Sequence, residues 1–515
     1  MKRILAVLFA LAAIVSLNAQ EFTIVNGAEP ASIDPHYVEG VPEHRIYMAL
    51  FEGLTVADPK TNRAIPGMAE KWTFNKGMDV VTFKLRKAVW SDGTPVTAEN
   101  CVKSWLRKLD PKNAFQYADL LYIIKGAEEY NKGKAGPEAV KIRAVDASTF
   151  EVTLVGPTPH FPDMTTHYAF ALVPMHAIEK FGQDWVKPGN FVSNGPFTLS
   201  EWKPQEKLVA VPNPKFYDAK NVKLKKITFI PNDDVMAGYN LYKTGAADWI
   251  DTVPSELMDE IKLRPDFHVA PEYGSYYFIL NVTRKPLDKA EVRKALSMAI
   301  DRKTLVETVT KGGQIPTAGF VPPSAGFTAV KGWPYNPEEA KKMLAAAGFA
   351  NGQGFPKMTI LYNTSSNHKR IAEFIQAQWK TNLGITVDLV NQEWATYLDT
   401  RSQAHDFDIA RAGWIADYLD PSTFSDMWIT GGTQNDGLYS NKKYDDAIKL
   451  ARTQSGATRM KTLMQAEDVL INQDAAILPI YWYVTQNMID LNKWDGWYPN
   501  PLNQHPWKFI GPKKK

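Results

Sequence analysis

Trp394, in the polar run Asn391–Arg401, and Trp414, in Arg411–Tyr418, are indole rings set among charged and amide side chains. Most of the 15 Trp, 21 Tyr and 24 Phe must pack the core, but rings in such surroundings can line a binding cleft. Signs of catalysis are sparse. The chain has no GxSxG elbow, HExxH helix, Walker A loop or CxxC pair, and no GxGxxG that opens a helix. Its nine histidines are scattered, and the nearest pair within one segment, His160 and His167, has no zinc-site spacing, so neither a metal nor a cofactor is expected. Two carboxylates placed for glycoside hydrolysis need only be close in space, which keeps a secreted hydrolase open as a rival class. The lone Cys101 lies beside an apolar helical stripe and reads as a packed thiol.

The elements that must position such residues alternate between helix and strand. Val102, Trp105, Leu106 and Leu109 fall on one face of a helix that Thr97 can cap. Asn336-Pro337-Glu338-Glu339 opens a second helix that Gly348 closes, and His368–Leu383 is a third, with Ile371, Phe374, Ile375 and Trp379 inward. Ile385, Val387 and Leu389 then alternate as a strand would. At 515 residues the chain holds material for about three domains. Its net charge of +3 is too balanced for a nucleic-acid surface.

Lys2-Arg3, the apolar run Ile4–Val15 and the small-residue exit Ser16–Ala19 have the three parts of a secretory signal, with cleavage expected after Ala19. The run is too short to span a bilayer. No cysteine follows it to carry a lipid, and one cysteine cannot make an intramolecular disulfide. An unanchored periplasmic protein is the expectation.

Leu50–Leu54, Pro66–Trp72, Phe83–Asn100 and Asn194–Leu199 resemble the shared pattern of the family 5 extracellular solute-binding proteins of ABC importers. Ile360–Arg370, Asn391–Arg401, Asp406–Pro421 and Asp34–Glu43 resemble the oligopeptide-binding subgroup. The likeness runs from about Phe22 almost to the C-terminus. It implies an α/β fold of two large lobes joined by a hinge, with an additional smaller domain. The implied division is a discontinuous hinge-bearing lobe over 20–51, 173–273 and 486–515, an additional domain over 52–172 and a second lobe over 274–485. It also implies a monomer that binds oligopeptides and delivers them to a membrane permease, with no catalytic step.

Peptides of arbitrary sequence share only an ammonium, a carboxylate and a row of backbone donors and acceptors, and a closed cleft must satisfy all three. By resemblance, Asp417 meets the ammonium, while Arg411 meets the carboxylate with a planar fork and His368 lies near that end. Main-chain pairing is expected from Gly413, Trp414 and Ile415 and from the region of Val41, with the ligand added as a strand. Tyr117, Trp394, Arg401, Trp414, Glu39 and Tyr277 are expected to line side-chain pockets, where water can adapt to different side chains.

The chain departs from the subgroup at Ile415 and Gly274, where members carry a pair of cysteines. The lysine that relatives use for longer peptides has no certain counterpart, and Lys331 is the candidate. A specialist for murein-derived peptides is the alternative within the family.

Overall fold

The computed structural model describes residues 20–514. The expected signal segment 1–19 lies outside the described residues.

One large mixed sheet runs through the molecule in the order Val387–Gln392, Met358–Asn363, Ile409–Ile415, Phe267–Leu280, Ile477–Ile489, Trp249–Ile250, Glu21–Val25, Lys226–Ile230, Lys207–Pro212, Phe197–Lys203. Its middle pair explains the two lobes. Phe267–Leu280 has 14 residues, about 46 Å at strand rise, enough to cross from one lobe to the other. Its first half pairs Phe267–Pro271 with Val484–Met488, beside Trp249–Ile250 and Glu21–Val25. Its second half pairs Ser275–Ile279 with Ile477–Trp482 and, on its other edge, lies against Ile409–Ile415. The register slips between Pro271 and Ser275. A bulge of this kind bends a strand and raises its twist, so the two halves of the sheet face different ways across one short segment.

Each half has its own core. Phe22 packs on Trp494 and Trp507 in the first. In the second, Ile360, Ile409 and Leu478 are fully covered by helices Ala290–Met298 and Ser366–Leu383, with Trp379 donating its indole N–H to the Leu296 carbonyl at 2.9 Å. A separate antiparallel sheet, Ala69–Phe74, Val80–Leu85, Thr149–Thr153 and Ile142–Asp146, carries helix Ala98–Leu109 on one face, where Trp105 meets Phe150 edge-on at 4.9 Å.

Helix ends follow local chemistry. Asn336 accepts from the Glu339 N–H at 3.1 Å, and Ser366–Leu383 stops at Gly384 in the left-handed region, φ +71°. Two expectations shift. In helix Ala98–Leu109 the buried face is Cys101, Ser104, Trp105, Lys108 and Leu109, with Val102 and Leu106 only half-buried. Hydropathy hides Lys108 because its ammonium is answered locally: it donates to the His36 carbonyl at 2.7 Å, and burial holds its pKa down to about 7. The strand expected from Ile385 begins at Val387, and Ile385 is buried just ahead of it.

Candidate ligand-binding cleft

A cavity of about 400 Å³ opens where the two halves of the large sheet and the small-sheet region meet. Strand Ile409–Ile415 forms one wall. Along one edge it is fully paired with Gly274–Leu280, but on the other it meets Met358–Asn363 only through Ile409 and Ala410. Past Ala410 no strand pairs with that second edge, and the Tyr397 hydroxyl donates to the Arg411 carbonyl there. The Ala416 N–H donates to the Tyr273 carbonyl at 2.9 Å, so by the alternation of antiparallel ladders Ala412 and Trp414 also face that partner strand. The peptide groups of Gly413 and Ile415 therefore point toward that open edge. The backbone here offers a partly built ladder to an extended ligand. Gly413 is required by packing: a Cβ would collide with the Tyr483 hydroxyl lying over it.

At one end of this edge, Asp417 is buried, 6% exposed. Its Oδ1 lies 3.0 Å from His167 Nε2, and the Thr423 hydroxyl donates to Oδ2 at 3.3 Å. His167 Nδ1 accepts from the Ala169 N–H at 3.2 Å, which places the ring proton on Nε2 and makes a neutral His167 a donor to the carboxylate. Tyr117 and Trp414 stack beside it at 5.7 Å. Tyr117 holds φ +61°, a conformation that bulky residues rarely adopt and that tertiary contacts must enforce.

At the other end, Arg411 donates from Nη1 to Asn363 Oδ1 at 3.2 Å and from Nη2 to the Tyr483 hydroxyl at 3.0 Å, and its guanidinium lies 4.7 Å from the Tyr276 ring centre. Its Nε is buried without a partner, and among the described residues no carboxylate pairs with it. Burial works to lower its pKa, yet Tyr483 and Tyr276 more than offset this, so the charge stays. His368 sits alongside, its Nδ1 3.3 Å from the Tyr276 hydroxyl, and burial and then Arg411 push it well below the usual histidine range. It is neutral near pH 7.

The side walls come from both halves of the chain. Trp394 crosses the cleft to donate its indole N–H to Glu43 Oε1 at 3.1 Å, the oxygen that also accepts from the Ala31 N–H at 2.8 Å. Arg401 Nε pairs with Asp436 at 2.7 Å. Burial raises Glu39 to about 8, with Arg401 opposing. Tyr277 is buried against Phe320 and Trp428.

Asp417, Arg411, His368, Gly413, Trp414, Ile415, Trp394, Arg401, Glu39, Val41, Tyr117 and Tyr277 thus border a single cavity. Lys331 is exposed and is not among its lining residues. One expectation is corrected: Val41 is the first residue of helix Val41–Leu50, with Gly40 extended at φ −126° as its cap, so it offers a helix N-terminus rather than a strand edge. Pro42, fixed near the helical φ, starts that helix where the strand was expected. Gly274 and Ile415 are direct cross-strand neighbours, but a Cβ at Gly274 would lie 2.8 Å from the Trp414 carbonyl oxygen, so a cysteine pair here would need the backbone to shift. Sequence reasoning passed over His167, Glu43, Thr423, Asn363 and Tyr483. Each is distant in sequence from the side chain it supports or, like Thr423, sits in a single short helical turn, Ser422–Ser425, so no local signal marked its role.

A cleft between two sheet halves, walled by one open strand edge and bridged by side chains from both sides, defines a two-lobed binding-protein fold. Residues 63–436 match the model of the bacterial extracellular solute-binding proteins, family 5 (middle region). The chain belongs to this family. It is 39% identical to the periplasmic oligopeptide-binding protein OppA of Escherichia coli over 93% of this chain and 90% of that protein. The structure of Haemophilus influenzae OppA in complex with the peptide RPPGFSPFR superposes with a TM-score of 0.92 at 33% identity, covering 96% of this chain and 99% of the other. The murein tripeptide-binding protein MppA of Escherichia coli, 36% identical, matches at 0.91 in one structure and at 0.63 in its unliganded open form, with coverage of 96% of this chain and 99% and 97% of those chains. Since sequence is constant between those two comparisons, the fold here is arranged more like the first MppA structure than like that open form.

Proposed function

We propose that this protein captures oligopeptides in the interlobe cleft and delivers them to the permease of an ABC importer, with no catalytic step. The carrying observation is a buried cation with no acidic partner, Arg411 on strand Ile409–Ile415, and a buried acid, Asp417, two residues past the end of that strand, at opposite ends of one open edge. Asp417 and Arg411 lie six positions apart, at most about 20 Å at strand rise, and their side chains can reach inward to the ends of an extended chain of a few residues. An unpaired guanidinium in a closed cleft is costly unless a ligand carboxylate meets it. The two charges match the opposite ends of a zwitterionic peptide, and the free peptide groups between them read backbone without reading side chains.

The bulge between Pro271 and Ser275 supports a hinge there. We accordingly divide the chain into a lobe of 20–51, 173–273 and 486–515, an additional domain of 52–172, and a second lobe of 274–485. The protein works as a periplasmic monomer in this reading, and the similar OppA of Escherichia coli is a periplasmic protein. Native mass spectrometry of the protein as purified tests the function. A ladder of peptide masses supports it, one discrete muropeptide mass points to a murein specialist, and cleavage of peptides or glycans by an empty protein refutes it.

A further inference from the structure

The hinge bulge holds a carboxyl that none of the contacts above uses. Glu272 lies in the three-residue slip of Phe267–Leu280, is 7% exposed, borders the same cavity as Arg411, and has its Oε1 buried without a hydrogen-bond partner. No cation pairs with it among the described residues. Arg45, the nearest, is taken by Asp251. Tyr481 and Tyr483, which line the same wall and sense the Glu272 charge, stand edge-on to each other at 5.6 Å. Acidic side chains outnumber basic ones around the cavity, and two of the arginines, Arg45 and Arg401, are already matched by Asp251 and Asp436.

We propose that Glu272 makes the cleft select peptides that carry a lysine or arginine side chain, whose cationic head replaces the missing partner of this carboxyl. The inference rests on the reading of the cleft as a peptide site. A merely structural Glu272 would stay protonated, since burial and Asp251 raise it to about 8, with Arg45 opposing. An arriving ammonium instead displaces that proton.

The test uses tri- and tetraalanine peptides with lysine at each position in turn, and matched peptides with norleucine, titrated by calorimetry at pH 7 into the native protein and Glu272→Gln. At one position lysine should bind roughly 10- to 100-fold tighter than norleucine in the native protein, the range for a hydrogen bond to a charged group. In Glu272→Gln that ratio should fall below about threefold, the remainder of an exposed charge contact. A native protein that binds alanine peptides with no lysine preference, or a preference that survives in the variant, overturns the role of Glu272 alone. A native protein that binds none of the peptides overturns the peptide reading and this inference with it. A second measurement needs no variant: in two buffers of different ionisation heat, the lysine peptide should release more protons on binding than its norleucine match. The groups facing Glu272 are Asp251, Arg45, Tyr481 and Tyr483, and burial pushes both tyrosines further above neutral pH. Equal proton release overturns the proposal.

Discussion

Replacing Asp417 by Asn removes one charge and leaves the shape of the side chain intact. The amide oxygen can still accept from His167 Nε2; the Thr423 hydroxyl, which accepts from the Asp417 N–H at 3.0 Å and the Trp414 indole N–H at 3.3 Å, loses only its own weak donation to Oδ2. The fold should therefore survive. Binding should not. Asp417 is 6% exposed, so the magnitude belongs to buried charge pairs, about 2–5 kcal/mol, rather than to the 0–1 kcal/mol of exposed ones. At about 1.4 kcal/mol per decade this is a loss of roughly 30-fold to several thousand-fold. The assay is a cycle by calorimetry: one peptide, free and N-acetylated, against the native protein and Asp417→Asn. Acetylation removes the same charge from the ligand side, so its penalty should shrink in the variant. Additive penalties, with coupling below about 0.5 kcal/mol, refute the contact between Asp417 and the ammonium.

Arg411→Met should move stability and affinity in opposite directions: losing a buried cation with no acidic partner should leave the empty protein as stable or about 1–3 kcal/mol more stable in thermal unfolding, while affinity for peptides with a free carboxylate falls about 30-fold or more and C-amidated peptides lose less. Folded Glu272 and Glu39 sit near 8, above the usual 4.5, so each holds a proton in the folded protein that it loses on unfolding at neutral pH. Their contribution to stability is complete below about pH 4.5 and is lost as pH rises through 8; Glu272→Gln should flatten this decline by up to about 1.4 kcal/mol per pH unit, and an unchanged slope in denaturant unfolding contradicts the assignment. Gly413→Ala puts a methyl group where the Tyr483 hydroxyl lies, an overpacking of about 1–3 kcal/mol that should fall on peptide affinity, because Tyr483 supports Arg411; unaltered affinity would show that this wall is not used. Small-angle scattering should show a smaller radius of gyration with saturating peptide than without, since the ligand selects the closed lobes, and Trp394→Phe, which loses the bond to Glu43 across the cleft, should raise the peptide concentration needed; no compaction in the native protein refutes ligand-driven closure.

What the sequence alone determined lies in short windows. Helix Ser366–Leu383 is legible because its apolar spacing acts within a few residues, and the Arg411–Asp417 segment is legible because its residues stand together in one stretch that resembles the family motif. Of the twelve candidate residues that border one cavity, nine fall in the segments 34–43, 391–401 and 406–421 and His368 in 360–370, while Tyr117 and Tyr277 lie outside these motifs.

Only the tertiary structure decided which groups stand alone. Whether Arg411 has an acidic partner, whether Asp417 is held by His167, and whether Glu272 is exposed or stranded in a bulge all depend on chain segments far apart in sequence. Lys108 makes the same point from the other side: a lysine on a helix reads as a solvent-facing charge until the His36 carbonyl closes over it. Hydrophobic pattern and capping are local free energies, summed over neighbours in the chain. The charge state and pairing of a buried polar group depend on everything packed around it in space, and composition and spacing carry no record of that.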